Sequence, residues 1–177
     1  MAAFATSYIP TQAASVTRSA DVASVDTLSP WYNATEMTLF AEASYIGLVP
    51  SVSQTIAAFS DGPTNTNYIY FGKGGGSGQN ATENLSSGSS NAVFSFGAPV
   101  VNTVYKLAMA IKLNDFAGCL NGGAVSTDTS GAVASSISML GIGSLNSGAP
   151  LQLNGHVRRI AYYPRRLLAA ELQALTA

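Results

Sequence analysis

Alternation of apolar and polar residues with a period of two runs through most of this chain, and it commits the chain to strands. In the clearest run, residues 104–114, Tyr105, Leu107, Met109, Ile111 and Leu113 point one way. Val104, Lys106, Ala108, Ala110, Lys112 and Asn114 point the other. A second run, 36–46, places Phe40 and Ile46 on one face and Met37, Leu39 and Tyr45 on the other. Both of its faces are apolar, as a strand packed on two sides requires. Shorter stretches of the same character are 54–60, 67–72, 92–96, 116–120, 138–143 and 156–163.

Turn chemistry falls between them. Asp61-Gly62, Asn121-Gly122 and Asn154-Gly155 are dipeptides suited to tight turns with positive φ. The prolines at 10, 30, 50, 63, 99, 150 and 164 stay out of the strand interiors, where a missing N–H would break a ladder. Many short strands with turns between them predict an all-β fold, a sandwich or a barrel. Only the end reads as a helix. In 165–176, Leu167, Leu168, Leu172 and Leu175 recur at helical spacing just after Pro164, and this leucine face needs a sheet to dock on. The tract 72–88, GKGGGSGQNATENLSSG, carries almost nothing apolar and is expected as a flexible Gly/Ser/Asn-rich surface loop. The 177 residues suit a single domain, 1–177.

Composition then removes whole classes of function. Charged residues make up 10% of the chain and the net charge is −1, so no global field favours nucleic acid. One Cys and one His allow neither an internal disulfide nor a zinc site, which needs about four N or S ligands. No apolar run is long enough to cross a bilayer as a helix, so no membrane insertion is expected. The start of the chain has no basic region of the kind that opens a signal peptide.

Catalytic patterns fail in turn. There is no G-x-S-x-G elbow, and Gly72-Lys73-Gly74 lacks the Ser or Thr that a phosphate loop places after its lysine. Glu36 and Glu42 share a strand face but stand about 20 Å apart, too far for a glycosidase pair. The expectation is that the chain is not an enzyme. Four of its eight basic residues, Arg158, Arg159, Arg165 and Arg166, fall close together. They could form a patch for an anionic polymer. The plainer reading gives Arg158 and Arg159 to opposite faces of a strand and pairs Arg165 with Glu171.

The tail, LNGHVRRIAYYPRRLLAAELQAL, resembles the closing strand and helix of laminin-G-like, concanavalin A-like jelly rolls. The matching positions are Asn154, Gly155, Val157, Ile160, Tyr163, Arg165, Leu167, Glu171 and Leu172. YKLAMAIKLNDFAGCLNGG is similar to that family's paired central strands around an Asn-Gly hairpin, and SMLGIGS to a further strand. FATSYIPTQAASVTRSADVASV and WYNATEMTLFAEAS resemble the version found in bacteriophage and prophage virion proteins, tail fibres above all.

The resemblance implies a jelly-roll sandwich forming the C-terminal module of a longer virion protein. It implies a homo-oligomeric parent, a trimer, among other virion proteins, acting outside the cell on a bacterial surface glycan. The family's Ser or Thr before the last helix is Leu168 here, so that helix end is expected to be loose. Calcium is the metal the resemblance would bring. The acids that bind it in many laminin-G and pentraxin relatives have no clear counterparts, so no metal or other cofactor is expected.

Sugar recognition uses an aromatic face against C–H groups, with amides and carboxylates fixing hydroxyls. Trp31, Tyr32, Asp61, Asn65, Asn67 and Tyr68 supply that chemistry between and beside strands. Trp31 serves equally as a core plug, and Tyr68 with Tyr70 reads as packing on a sheet face. A structural virion module without a glycan is the alternative.

Overall fold

The computed structural model describes residues 23–62, 64–146 and 151–177. Its elements run β1 (Ala23–Val25), β2 (Glu36–Tyr45), β3 (Gln54–Ser60), β4 (Tyr68–Lys73), β5 (Asn80–Ser86), β6 (Ser89–Ser95), β7 (Val104–Lys112), β8 (Asp115–Leu120), β9 (Ser126–Asp128), β10 (Met139–Ile142), β11 (Gly155–Tyr163) and α1 (Ala169–Thr176). They build a six-stranded sheet in the order β1-β10-β3-β4-β5-β6 and a five-stranded sheet in the order β11-β2-β7-β8-β9. Neighbouring strands pair antiparallel in both sheets. The chain is thus an all-β, two-sheet antiparallel jelly-roll sandwich with one short C-terminal helix, as the alternation and the laminin-G-like tail together imply.

The core fills the space between the sheets. Met37, Leu39, Leu107, Met109, Ile111 and Phe116 come from the five-stranded sheet, and Phe59, Ile69, Phe71 and Phe94 from the six-stranded one. Gly118 on β8 makes room for the last of these: a Cβ there would stand 2.5 Å from the Phe94 ring. The alternating face of β7 is buried as expected from Tyr105 to Ile111, but Leu113 is 62% exposed. Lys112 pairs with Asp115, so Leu113 and Asn114 form the hairpin turn, with Asn114 at φ 55°. Alternation alone does not mark where a strand gives way to its turn.

The outer face of the five-stranded sheet is apolar too, and α1 covers it. Phe40, Ala108, Ala110, Ala117 and Cys119 pack beneath Leu167 and Leu172. The helix begins at Ala169, four residues later than the leucine spacing predicts. The Thr38 hydroxyl donates to the Arg165 carbonyl and accepts the Leu167 N–H, which ties the preceding segment to β2. The N-cap residue, Leu168, has no side-chain oxygen to offer. Glu171 replaces it by accepting the Leu168 N–H at 2.7 Å while bonding the Arg165 guanidinium. The helix end is therefore held, contrary to the expectation of looseness.

The tract 72–88 is not a surface loop along its length, because β5 runs through it. Asn80, Thr82 and Asn84 face inward and are buried. The Tyr45 hydroxyl donates to Asn80 Oδ1 at 3.0 Å. Asn84 donates to the Ala132 carbonyl at 2.8 Å and accepts the Ala134 N–H at 3.0 Å. A strand whose inward side chains are amides hydrogen-bonded across the interior carries no hydrophobic alternation to read.

Of the segments compared above with virion proteins, residues 4–22 lie outside those described. On β11 the register slips between Val157 and Arg159, so a bulge at Arg158 replaces the regular alternation expected there.

Leu172→Ala is expected to cost about 2–4 kcal/mol in chemical denaturation, from lost burial and a residual cavity under the helix. Asn84→Ala is expected to cost about 1–3 kcal/mol, because two backbone groups of the crossing segment lose their partner. A midpoint unchanged from wild type in either variant would contradict the packing described.

Candidate functional site

Strand alternation gives β4, β5 and β6 a second, outward face. Ile69 and Phe71 enter the core, so Tyr68 and Tyr70 stand outside. Beside them lie Glu83 of β5 and Val93 and Ser95 of β6, and together they floor a groove of about 270 Å³. Ser53 and the turn Gly74–Gly76 line one part of it, Leu145 and Leu151 another. The glycine turn is fixed in place: Gly75 donates its N–H to Ser53 Oγ at 2.9 Å, and Gly78 donates to the Gly74 carbonyl at 2.9 Å.

The two tyrosine rings meet nearly edge to face, with centroids 6.4 Å apart and planes at 68°. Tyr70 donates its hydroxyl to the Lys73 carbonyl at 2.7 Å, which pins the ring across Gly72. A Cβ on Gly72 would stand 2.5 Å from that hydroxyl oxygen, so the ring's position requires glycine there. Tyr68 donates to Glu83 Oε2 at 3.1 Å, and the Ser90 hydroxyl donates to Glu83 Oε1. Burial, then the nearby Glu83 carboxylate, hold the Tyr68 phenol well above its ordinary range. Burial does the same for Tyr70, reinforced by Tyr45. Both phenols are therefore protonated donors at neutral pH. An ionised carboxylate has about four lone-pair sites, so Glu83 can accept further hydroxyls beyond the two it holds.

The six candidate residues from the sequence fall into three groups by their side-chain contacts. Tyr68 lies in the groove. Trp31 and Tyr32 join Phe59 and Tyr162 in an aromatic cluster, with Trp31 5.0 Å from the Tyr162 ring centroid and 37% exposed. Its indole N–H goes to the Thr27 carbonyl. Asp61, Asn65 and Asn67 organise a loop. Asp61 Oδ2 accepts the Thr66 hydroxyl at 2.6 Å and the Asn67 N–H at 3.0 Å, and Asn65 Oδ1 accepts from Asn146 at 2.7 Å. Burial by itself would raise the Asp61 carboxyl, but the bonds from Thr66 and Asn67 outweigh it and hold the group below its ordinary value.

The arginines are occupied locally. Arg165 pairs with Glu171 at 2.7 Å, Arg166 with Asp115 at 2.6 Å, and Arg159 lies over the Phe40 ring at 5.3 Å. Arg158 is exposed at the bulge. Sequence reasoning missed Tyr70 as a lining residue and missed Glu83 altogether. The signal for both was the polar tract itself, since reading it as a strand brings Glu83 beside Tyr70.

Among the described residues no three acidic, His or Cys side chains stand together. The loop carboxylate Asp61 is engaged at Oδ2 by hydroxyl and amide donors, while its Oδ1 is buried without a partner among those residues.

Fold and groove define the class: an antiparallel β-sandwich module with an open, tyrosine-floored groove on the outer face of one sheet. Comparison with solved structures finds the same fold in carbohydrate-binding modules and sialidases. The CBM40 of the Ruminococcus gnavus IT-sialidase, solved bound to α2,6-sialyllactose, has a TM-score of 0.65 at 13% identity, over 82% of this chain and 85% of that one. Domain 4 of AbnA, a GH43 extracellular arabinanase from Geobacillus stearothermophilus, solved with arabinotriose, has a TM-score of 0.64 at 13% identity, over 90% of this chain and 82% of that one. The NanB sialidase of Streptococcus pneumoniae matches with a TM-score of 0.66 at 16% identity, over 88% of this chain and 27% of that one. No family model matches the chain. Comparison with curated proteins finds no match either.

The lowered Asp61 carboxyl gives a pH test of the loop. Its folded value lies below the ordinary 3.8, so its contribution is present above that value and lost as pH falls through the folded one. Acid denaturation of Asp61→Asn is expected to show a flatter dependence of stability on pH below about 4 than wild type.

Proposed function

We propose that this chain is a non-catalytic carbohydrate-binding module that holds a glycan in the groove over Tyr68, Tyr70 and Glu83. The observation that carries the reading is the pair of tyrosine rings set at 68° beside a carboxylate with acceptor sites to spare. Ring faces suit the C–H groups of a sugar, and the carboxylate and phenols suit its hydroxyls. The glycan complexes of two structurally similar proteins, with sialyllactose and with arabinotriose, support it. Of the six residues drawn from the sequence, this reading keeps Tyr68. Glu83 is the one acid lining the groove among the described residues, whereas glycoside hydrolysis ordinarily uses two carboxyl groups.

The setting we propose is a bacteriophage virion appendage of the tail-fibre type, acting outside the cell on a bacterial surface glycan. Its support is the resemblance of residues 4–25 and 31–44 to the virion version of such jelly rolls. In that setting the parent protein is a homo-oligomer, a trimer, joined to other virion proteins. Light scattering on the full-length parent checks this, and a monomeric parent would contradict it.

Titration of bacterial surface polysaccharide tests the site. Tyr68→Ala is expected to weaken binding about tenfold or more. Trp31→Ala and the double change Arg158→Ala/Arg166→Ala are expected to leave it within about twofold, since neither touches the groove. Loss on Trp31→Ala with Tyr68→Ala unaffected would move the site to the aromatic cluster. Loss on the arginine changes would move it to the basic edge.

A further inference from the structure

We propose that the groove is selective for uncharged glycans and turns away those bearing carboxylates, such as sialic acids and uronic acids. The inference rests on the glycan reading above and names its ligand class. Its basis is the balance of charge in the groove. Among the described residues, Glu83 is the one lining side chain that is charged at neutral pH. Its two oxygens are met by the hydroxyls of Tyr68 and Ser90, which are neutral donors and leave the negative charge uncompensated.

The cations nearby in sequence are committed elsewhere. Lys73 ends the groove strand β4 but is buried, with its ammonium on the Val52 carbonyl at 2.8 Å. Arg165 and Arg166 pair with Glu171 and Asp115, on the side of the molecule where α1 packs on the five-stranded sheet. Residues 147–150, between Asn146 and the groove residue Leu151, read Ser-Gly-Ala-Pro and carry no charge. Among the described residues, a sugar carboxylate entering the groove therefore meets a fixed carboxylate with no guanidinium or ammonium lining the groove to receive it. Like charges brought together at a partly desolvated site cost enough to decide specificity. A sugar hydroxyl meets the opposite situation, because Glu83 accepts it and the floor supplies ring faces.

The test is calorimetric titration of the intact chain with oligosaccharide pairs that differ by a carboxylate. Suitable pairs are lactose with sialyllactose and a galacto-oligosaccharide with an oligogalacturonate, with arabinotriose as a further neutral probe. The expected result is binding of neutral members only, or a preference for them of at least about tenfold at low salt, with the affinity of the neutral members nearly unchanged between low and high salt. Glu83→Gln is expected to narrow that preference about tenfold by removing the charge and keeping the shape. Tyr68→Ala is expected to weaken all members without changing their ratio. Acidic members binding as tightly as neutral ones, or binding that falls steeply with salt, would overturn the selectivity and leave the glycan reading standing. If no oligosaccharide in the panel and no bacterial surface polysaccharide binds, the glycan reading fails and the selectivity fails with it.

Discussion

Two buried asparagine side chains tie β5 to the structure across the interior from it, one to the opposite sheet and one to a crossing segment. Asn80 receives the hydroxyl of Tyr45, which belongs to the opposite sheet. Asn84 clasps the backbone of the segment that passes from β9 to β10, one amide serving both a carbonyl and an N–H. Hydrophobic contact between sheets is strong but tolerates sliding, whereas these bonds have direction and a fixed length. They fix β5 in place, and β5 carries the groove's carboxylate on its other side.

That two-sidedness is the organising fact of the six-stranded sheet. β4, β5 and β6 each spend alternate residues on the core and on the groove, so neither surface can change independently. Ile69 and Phe71 fix the register that presents Tyr68 and Tyr70. The opposite sheet resolves the same problem differently. Its outward residues Phe40, Ala108, Ala110 and Ala117 are small or apolar and are roofed by Leu167 and α1. One face is covered by leucine and the other lined with phenols.

The fold was legible where burial is apolar. β2 and β7 announce themselves because their inward residues are Met, Leu, Ile and Tyr at every second position. β5 does not, because its inward residues are Asn, Thr and Asn, and the two asparagines find their partners far away in the chain. β1 and β9 are three residues long, too short to show a period. The site inherits the same blind spot. Tyr68 could be picked out by itself, but a groove is a property of neighbouring strands, and losing β5 removed Glu83 and with it the reason to see Tyr70 as anything but packing. Trp31 and Tyr32 were visible as aromatics, while the Phe59 and Tyr162 rings they meet come from distant strands.

The bulge at Arg158 has a bearing on how copies of this chain behave when crowded. Among the described residues β11 is an outer strand of its sheet and, at nine residues, one of the longest. A straight strand of that length with a free edge would offer a neighbour an unbroken ladder of N–H and C=O groups to extend. The extra residue breaks the pleat in the first half of the strand, and two exposed arginines sit at the break. An approaching strand finds its hydrogen-bond spacing interrupted and meets like charge from its own counterpart. The edge thus resists fusing one sandwich to the next, and copies held side by side can remain separate folded units.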